Sequence, residues 1–146
     1  MTEIAFHFGA PDKMAYVCRL LRKAASSGAK VVVLAPDALM GRLDADLWAV
    51  SPTDFVPHCS AIASDSVKQR SAVVIAAHVG QAPPQCDVLV NITDNVPNQF
   101  ADYARVIEVV STDDGDRRSA RARWKHYSDL GYTITRHDLA LRGANE

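Results

Sequence analysis

Residues 31–34 read Val-Val-Val-Leu, four branched apolar side chains in succession with no polar position among them. A strand sends successive side chains to opposite faces, so this run has no face to offer water. It belongs in a sheet covered on both sides, which is the usual condition of parallel strands. Parallel neighbours need crossover connections, and helices normally supply them. The segment therefore makes a demand of its flanks: amphipathic helices should lie before and after it.

Both flanks comply. Residues 4–8 alternate toward Phe6 and Phe8, stop at Gly9, and predict a strand. Pro11 and Asp12 then suit a helix start. Met14, Val17, Cys18, Leu21, Ala24 and Ala25 follow the three-four spacing of one buried helical face, and Gly28 is placed to end it. The spacing predicts a helix over 12–27. After residues 31–34, Pro36 and Asp37 open a second helix over 37–49, with Leu39, Leu43 and Leu47 every fourth residue and Ser51-Pro52 as its stop. Residues 53–70 read as a loop, and 60–70, largely polar, as its most mobile part. AVVIAA (72–77), DVLVNI (87–92) and VIEVV (106–110) are further strands. Ser111, Thr112, Asp113 and Asp114 begin a last helix over 112–130, ended by Gly131, and residues 132–135 suit a closing strand.

The fold class that follows is α/β, a single three-layer domain over 1–146 with a mostly parallel central sheet. It is Rossmann-like but without a nucleotide-binding loop. The turn after the first strand, FGAPDKMA, has neither G-x-x-x-x-G-K-[ST] nor G-x-G-x-x-G, whose glycines let backbone N–H groups approach phosphates. No G-x-S-x-G turn, H-E-x-x-H or paired C-x-x-C occurs. Five scattered histidines give no ligand frame, and Asp113, Asp114 and Asp116 read as helix-capping acids. No cofactor or metal is expected.

A formal charge of -1 argues against whole-molecule attraction to nucleic acid or an anionic membrane. No apolar stretch approaches the roughly 20 residues of a membrane helix, and no secretory signal is visible. The three cysteines are odd in number and widely spaced, as expected of reduced thiols in the cytoplasm.

Two constellations remain. Trp48 and Phe55 flank a proline-containing loop; they suit either packing onto the domain's own core or anchoring a partner. On the final helix Arg117, Arg121, Trp124 and Lys125 fall at i, i+4, i+7 and i+8 and share one face. The core face of that helix runs through Ala120, Trp124 and Tyr127, which sets Trp124 at the border. A basic stripe edged by an aromatic suits an acidic peptide with an apolar end; a solvated charged face is the plainer alternative.

Residues 43–58 read Leu-Asp-Ala-Asp-Leu-Trp-Ala-Val-Ser-Pro-Thr-Asp-Phe-Val-Pro-His. A helix ending in L-D-x-x-L-W, followed by F-x-P-H, resembles the signature of the chi subunits of bacterial DNA polymerase III. The resemblance extends to the last helix through Arg123, Trp124, Lys125, Tyr127, Gly131 and Tyr132, although that family more often has Tyr in place of Trp124 and Lys in place of Arg117.

The resemblance implies a non-catalytic adaptor in DNA replication. It implies that Leu47, Trp48, Phe55, Val56, Pro57 and His58 receive the psi subunit of the clamp loader, or another client such as an accessory helicase. It implies that Val110, Arg117, Arg121, Trp124, Lys125 and Arg136 receive the acidic, phenylalanine-ended C-terminal tail of single-stranded DNA-binding protein. Contact with DNA would be indirect, and the location cytoplasmic, at the replisome. Two readings from other classes compete: a small nucleotide- or phosphate-using enzyme working at the turns after Phe8 and Leu34, and a direct nucleic-acid binder using the basic helix.

Overall fold

Val31 to Leu34 are all buried, and they alternate between two separate apolar clusters. Val31 and Val33 belong to the first, with Val17 and Leu21 of one helix and Leu43 and Leu47 of the next. Val32 and Leu34 belong to the second, with Phe6, Phe100, Ala120 and Tyr127. This is the three-layer α/β arrangement that the uninterrupted apolar run demands. The computed structural model describes residues 2–49, 58–60, 67, 71–77 and 86–139.

Along the chain these residues form β1 (Glu3–Ala10), α1 (Lys13–Ser26), β2 (Val31–Leu34), α2 (Asp37–Ala49), β3 (His58–Ser60), β4 (Val73–Ala76), β5 (Val88–Asn91), a 3-10 turn (Phe100–Asp102), β6 (Arg105–Ser111), α3 (Asp114–Asp129) and β7 (Ile134–Asp138). Among the described residues the sheet has seven strands in the order β3-β4-β2-β5-β6-β1-β7, and each of these pairings is parallel. Helices α1 and α2 cover one face and α3 the other. Burying side chains such as Leu21, Leu43 and Leu89 contributes roughly 1.5–3 kcal/mol each.

The helix ends follow their local chemistry. Asp12 caps α1, its side chain accepting the Ala15 N–H at 3.1 Å, and Gly28 beyond the helix takes φ +88. Asp113 caps α3 by accepting the Asp116 N–H at 3.0 Å, and Gly131 follows its end at φ +89. At such left-handed positions a side chain would be strained, so glycine is the residue that fits.

Two expectations need correction, and a third needs an addition. Residues 58–60, read as loop, are strand β3, paired in register with Val73 to Ile75 of β4. The closing strand is Ile134–Asp138, starting two residues and ending three residues later than expected, because its place is fixed by pairing with Ile4 to Phe8 of β1. The buried face of α3 includes Arg123 beside the expected Ala120 and Tyr127, while Trp124 is partly buried against the same cluster, at the border where it was expected. Apart from Ser60 and Val67, the stretch 60–70 lies outside the described residues.

Candidate functional site: an arginine-lined groove

Strand β1 places Phe6 and Phe8 two positions apart, so both point to the α3 side of the sheet. Phe6 is fully buried, while Phe8 lies near the strand's end and is partly exposed. Gly9 follows at φ +81, where the β1–β6 register shifts between His7 and Ala10. Such an irregularity re-aims a strand end. Trp124, coming from α3, packs onto both rings, with centroids 5.1 Å from Phe6 and 6.0 Å from Phe8. From β7, the Arg136 guanidinium lies 4.6 Å from the Phe8 ring centroid.

Around this aromatic seat opens a groove of about 560 Å³, lined by Phe8, Gly9, Ser111, Thr112, Arg117, Arg121, Trp124, Arg136 and Asp138. It sits at the carboxyl ends of β1, β6 and β7, the edge at which open α/β sheets usually bind ligands. Three guanidinium groups face one carboxylate across it. That carboxylate, Asp138, lies 4.0 Å from Arg136, and Arg117 stands 3.9 Å from the exposed Asp114. Both contacts are long and solvated, so they hold the guanidinium groups only weakly.

Asp113 and Asp116, at the start of α3, are used elsewhere. Asp116 accepts the Ser111 N–H at 2.8 Å and the Lys13 ammonium at 3.1 Å. Burial alone would raise its carboxyl, but the Ser111 N–H and Lys13 prevail and hold it below the usual aspartate range. The groove can therefore offer donors to an anion and an aromatic wall to an apolar group.

Of the residues expected at a tail-binding site, Arg117, Arg121, Trp124 and Arg136 line this groove together. Lys125 is exposed on α3 but is not part of the lining. Val110 is not a surface wall: it is fully buried among Phe6, Ala120 and Tyr127 because it faces inward from β6. Phe8, Gly9, Ser111, Thr112 and Asp138 were not assigned to this site from the sequence. The alternation of Phe6 and Phe8 up to a glycine was the available signal for the first two.

The second expected surface has a different outcome. Leu47 is 1% exposed and packs in the α1–α2 core cluster, because it continues the buried row of Leu43. It is a core residue and not an interface one. Trp48 is carried by the backbone of α2 and His58 by β3, but their side chains, like all of Phe55, Val56 and Pro57, lie outside the described residues.

Burial pushes the thiols of Cys18 and Cys86 up to about 11, so neither is a ready thiolate. Among the described residues no group of three or more His, Cys, Asp or Glu side chains gathers, and no helix is long and apolar enough to cross a membrane.

The family model described as DNA polymerase III chi subunit, HolC, matches residues 1–135. The chain belongs to the DNA polymerase III chi subunit family. A relative named DNA polymerase III subunit chi from Pseudomonas aeruginosa is 29% identical over 129 residues, covering 87% of each chain. Another chi subunit, from Escherichia coli K12, is 26% identical over 119 residues, covering 81% of this chain and 80% of its own. Among solved structures, S. cerevisiae Dbp5 bound to RNA and ADP BeF3 matches with a TM-score of 0.63 at 14% identity. That match covers 94% of this chain and 41% of the Dbp5 chain, and it shows a shared fold alone. As a chi-family member the protein is a replication subunit of DNA polymerase III.

Proposed function

We propose that the protein is a non-catalytic adaptor that grips the acidic, phenylalanine-ended C-terminal tail of single-stranded DNA-binding protein in its arginine-lined groove, while a second surface around Trp48 and Phe55 takes the psi subunit of the clamp loader. The observation that carries the first half is the convergence of Arg117, Arg121 and Arg136 on a Phe8–Trp124 seat. Guanidinium forks suit carboxylates, and planar aromatic walls suit a phenylalanine ring. A tail that combines both features matches the groove better than a nucleic-acid backbone does, since the net charge of the chain is -1 and the arginines are gathered in one small concavity.

Calorimetric titration tests the reading with three probes: an acidic peptide ending in phenylalanine, the same peptide lacking that residue, and a single-stranded oligonucleotide. The full peptide should bind, and raising salt should weaken it without abolishing it, because the apolar contact survives screening. Equal binding of the truncated peptide would reduce the groove to a basic surface, and preferential binding of the oligonucleotide would overturn the assignment.

A further inference from the structure

Beneath the groove lies a polar cluster in an otherwise apolar layer. Glu108, fully buried on β6, offers its two carboxylate oxygens to two residues of α3. Arg123 donates from Nε to Oε1 at 3.0 Å, and Tyr127, one turn later, donates its hydroxyl to Oε2 at 2.7 Å. From β5, Asn91 Nδ2 lies 3.0 Å from each oxygen and so holds the carboxylate in place. Arg123 Nη1 reaches Ser119 Oγ at 2.7 Å and the Asp94 carbonyl at 3.4 Å. Its Nη2 is buried and finds no acceptor among the described residues.

Stability accounts poorly for this cluster. Desolvating two charges generally offsets their attraction, and apolar residues of similar volume often serve as well or better. The orphaned Nη2 adds a further penalty. Geometry accounts for it better. Contacts of Ala120 and the Tyr127 ring are non-directional and tolerate a helix that slides or rolls. A slip of one residue moves a helix by about 1.5 Å and turns it about 100°. Such a slip would swing Trp124 away from Phe8 and turn Arg117 and Arg121 off the groove. Two directional bonds, one turn apart and closing on the two oxygens of one fixed carboxylate, constrain both the height and the rotation of the middle of α3, as Asp116 ties its first turn to Ser111 and Lys13.

We infer that Glu108, Arg123 and Tyr127 are positioning residues that set the register of α3, and through it the groove's ability to tell a phenylalanine-ended acidic tail from any other acidic chain. This deepens the tail-binding reading and rests on it. None of the three lines the groove.

The test replaces the whole cluster by apolar residues, Glu108→Leu with Arg123→Met and Tyr127→Phe, and uses Tyr127→Phe and Arg123→Lys singly as milder variants. Two measurements are made on the full chain. One is the ratio of affinities for the acidic peptide with and without its terminal phenylalanine. The other is the NMR resonance of the Trp124 indole N–H, which needs no ligand. Folded variants should lose about tenfold in that ratio for the triple change and less for the single ones, with the Trp124 signal shifted or broadened. A purely structural role would lower the melting temperature and leave the ratio unchanged. If the triple variant does not fold, the single variants decide. An unchanged ratio and an unmoved Trp124 signal in folded variants overturn the inference. If the wild-type chain binds neither peptide, the tail-binding reading fails and the claim of discrimination fails with it, while the indole signal still decides whether the cluster sets the register.

Discussion

Arg136 of β7 stacks over Phe8 of β1 with 4.6 Å between its guanidinium carbon and the ring centroid, and Trp124 approaches the same ring from α3 at 6.0 Å. Three elements thus meet on one side chain at the groove's floor. The arrangement makes an edge strand functional: among the described residues β7 pairs with β1 alone, yet it delivers a cation to the site.

Arg136→Ala should therefore act on binding more than on folding. Its side chain is 61% exposed, and a cation–π contact at such a site contributes about 0.5–1 kcal/mol. The melting temperature should move little. Affinity for the acidic peptide should fall several-fold, and the salt dependence of binding should flatten because one cation is gone. Calorimetry at two salt concentrations checks both effects.

Arg121 and Arg118 provide a matched pair on the same helix. Arg121 lines the groove and Arg118 does not. A charge-assisted hydrogen bond to a carboxylate is worth roughly 1.5–3 kcal/mol, so Arg121→Ala should weaken the peptide about tenfold to a hundredfold. Arg118→Ala, which removes the same charge nearby, should cost less than about threefold. Equal losses in the two variants would show that only the field of α3 matters.

The sequence disclosed those parts of the fold that local chemistry decides. Asp12 and Gly28 bracket α1, and Asp113 and Gly131 bracket α3, because capping and left-handed turns depend on the residues at those positions. Strand β3 was hidden because His58, Cys59 and Ser60 carry no strand pattern of their own; pairing with β4 makes them a strand. Residues 136–138 hide for a similar reason, since Arg136, His137 and Asp138 are polar and owe their conformation to β1. In the groove, the arginine stripe was legible from helical spacing. Phe8 joined it only through the packing of β1 against α3. The buried Arg123 had an indirect signal: Glu108 interrupts VIEVV, and a carboxylate inside a buried strand requires a partner.

Leu47 and Trp48 are neighbours with different expected roles, and mutagenesis separates them. Leu47→Ala removes a side chain that is 1% exposed in the α1–α2 cluster and should destabilise the fold by about 2–5 kcal/mol. Trp48→Ala and Phe55→Ala, if these are central anchors for psi, should weaken that complex by roughly 2 kcal/mol or more while the isolated chain stays folded. Denaturant unfolding paired with a psi-binding assay reads both. Unfolding of the isolated chain by Trp48→Ala would place that indole with the core, and unchanged psi affinity in both aromatic variants would remove the interface assignment.

Helix α3 is also tied to the rest of the domain at its N-terminal end. Asp116 joins its first turn to the end of β6 through the Ser111 N–H at 2.8 Å and to α1 through Lys13 at 3.1 Å, and its side chain is 13% exposed. Burial opposes ionisation, but those two partners outweigh it, so the folded carboxyl titrates below its unfolded value. Above the unfolded value both states are ionised and the full stabilisation is present. As pH falls, the unfolded chain takes up its proton first, which favours unfolding, and the contribution disappears once pH has passed through the lowered folded value. Asp116→Asn should accordingly cost roughly 1–2 kcal/mol near neutral pH, with most of the loss coming from the ion pair and the charge-assisted bond. Across the acid range the gap between variant and wild type should narrow from the ordinary aspartate value downward, closing where Asp116 itself is protonated. Urea titrations at a series of pH values give this curve directly. A gap that stays constant through the acid range would mean that the asparagine destabilises by shape alone and that the Asp116 charge contributes nothing to holding α3 in place.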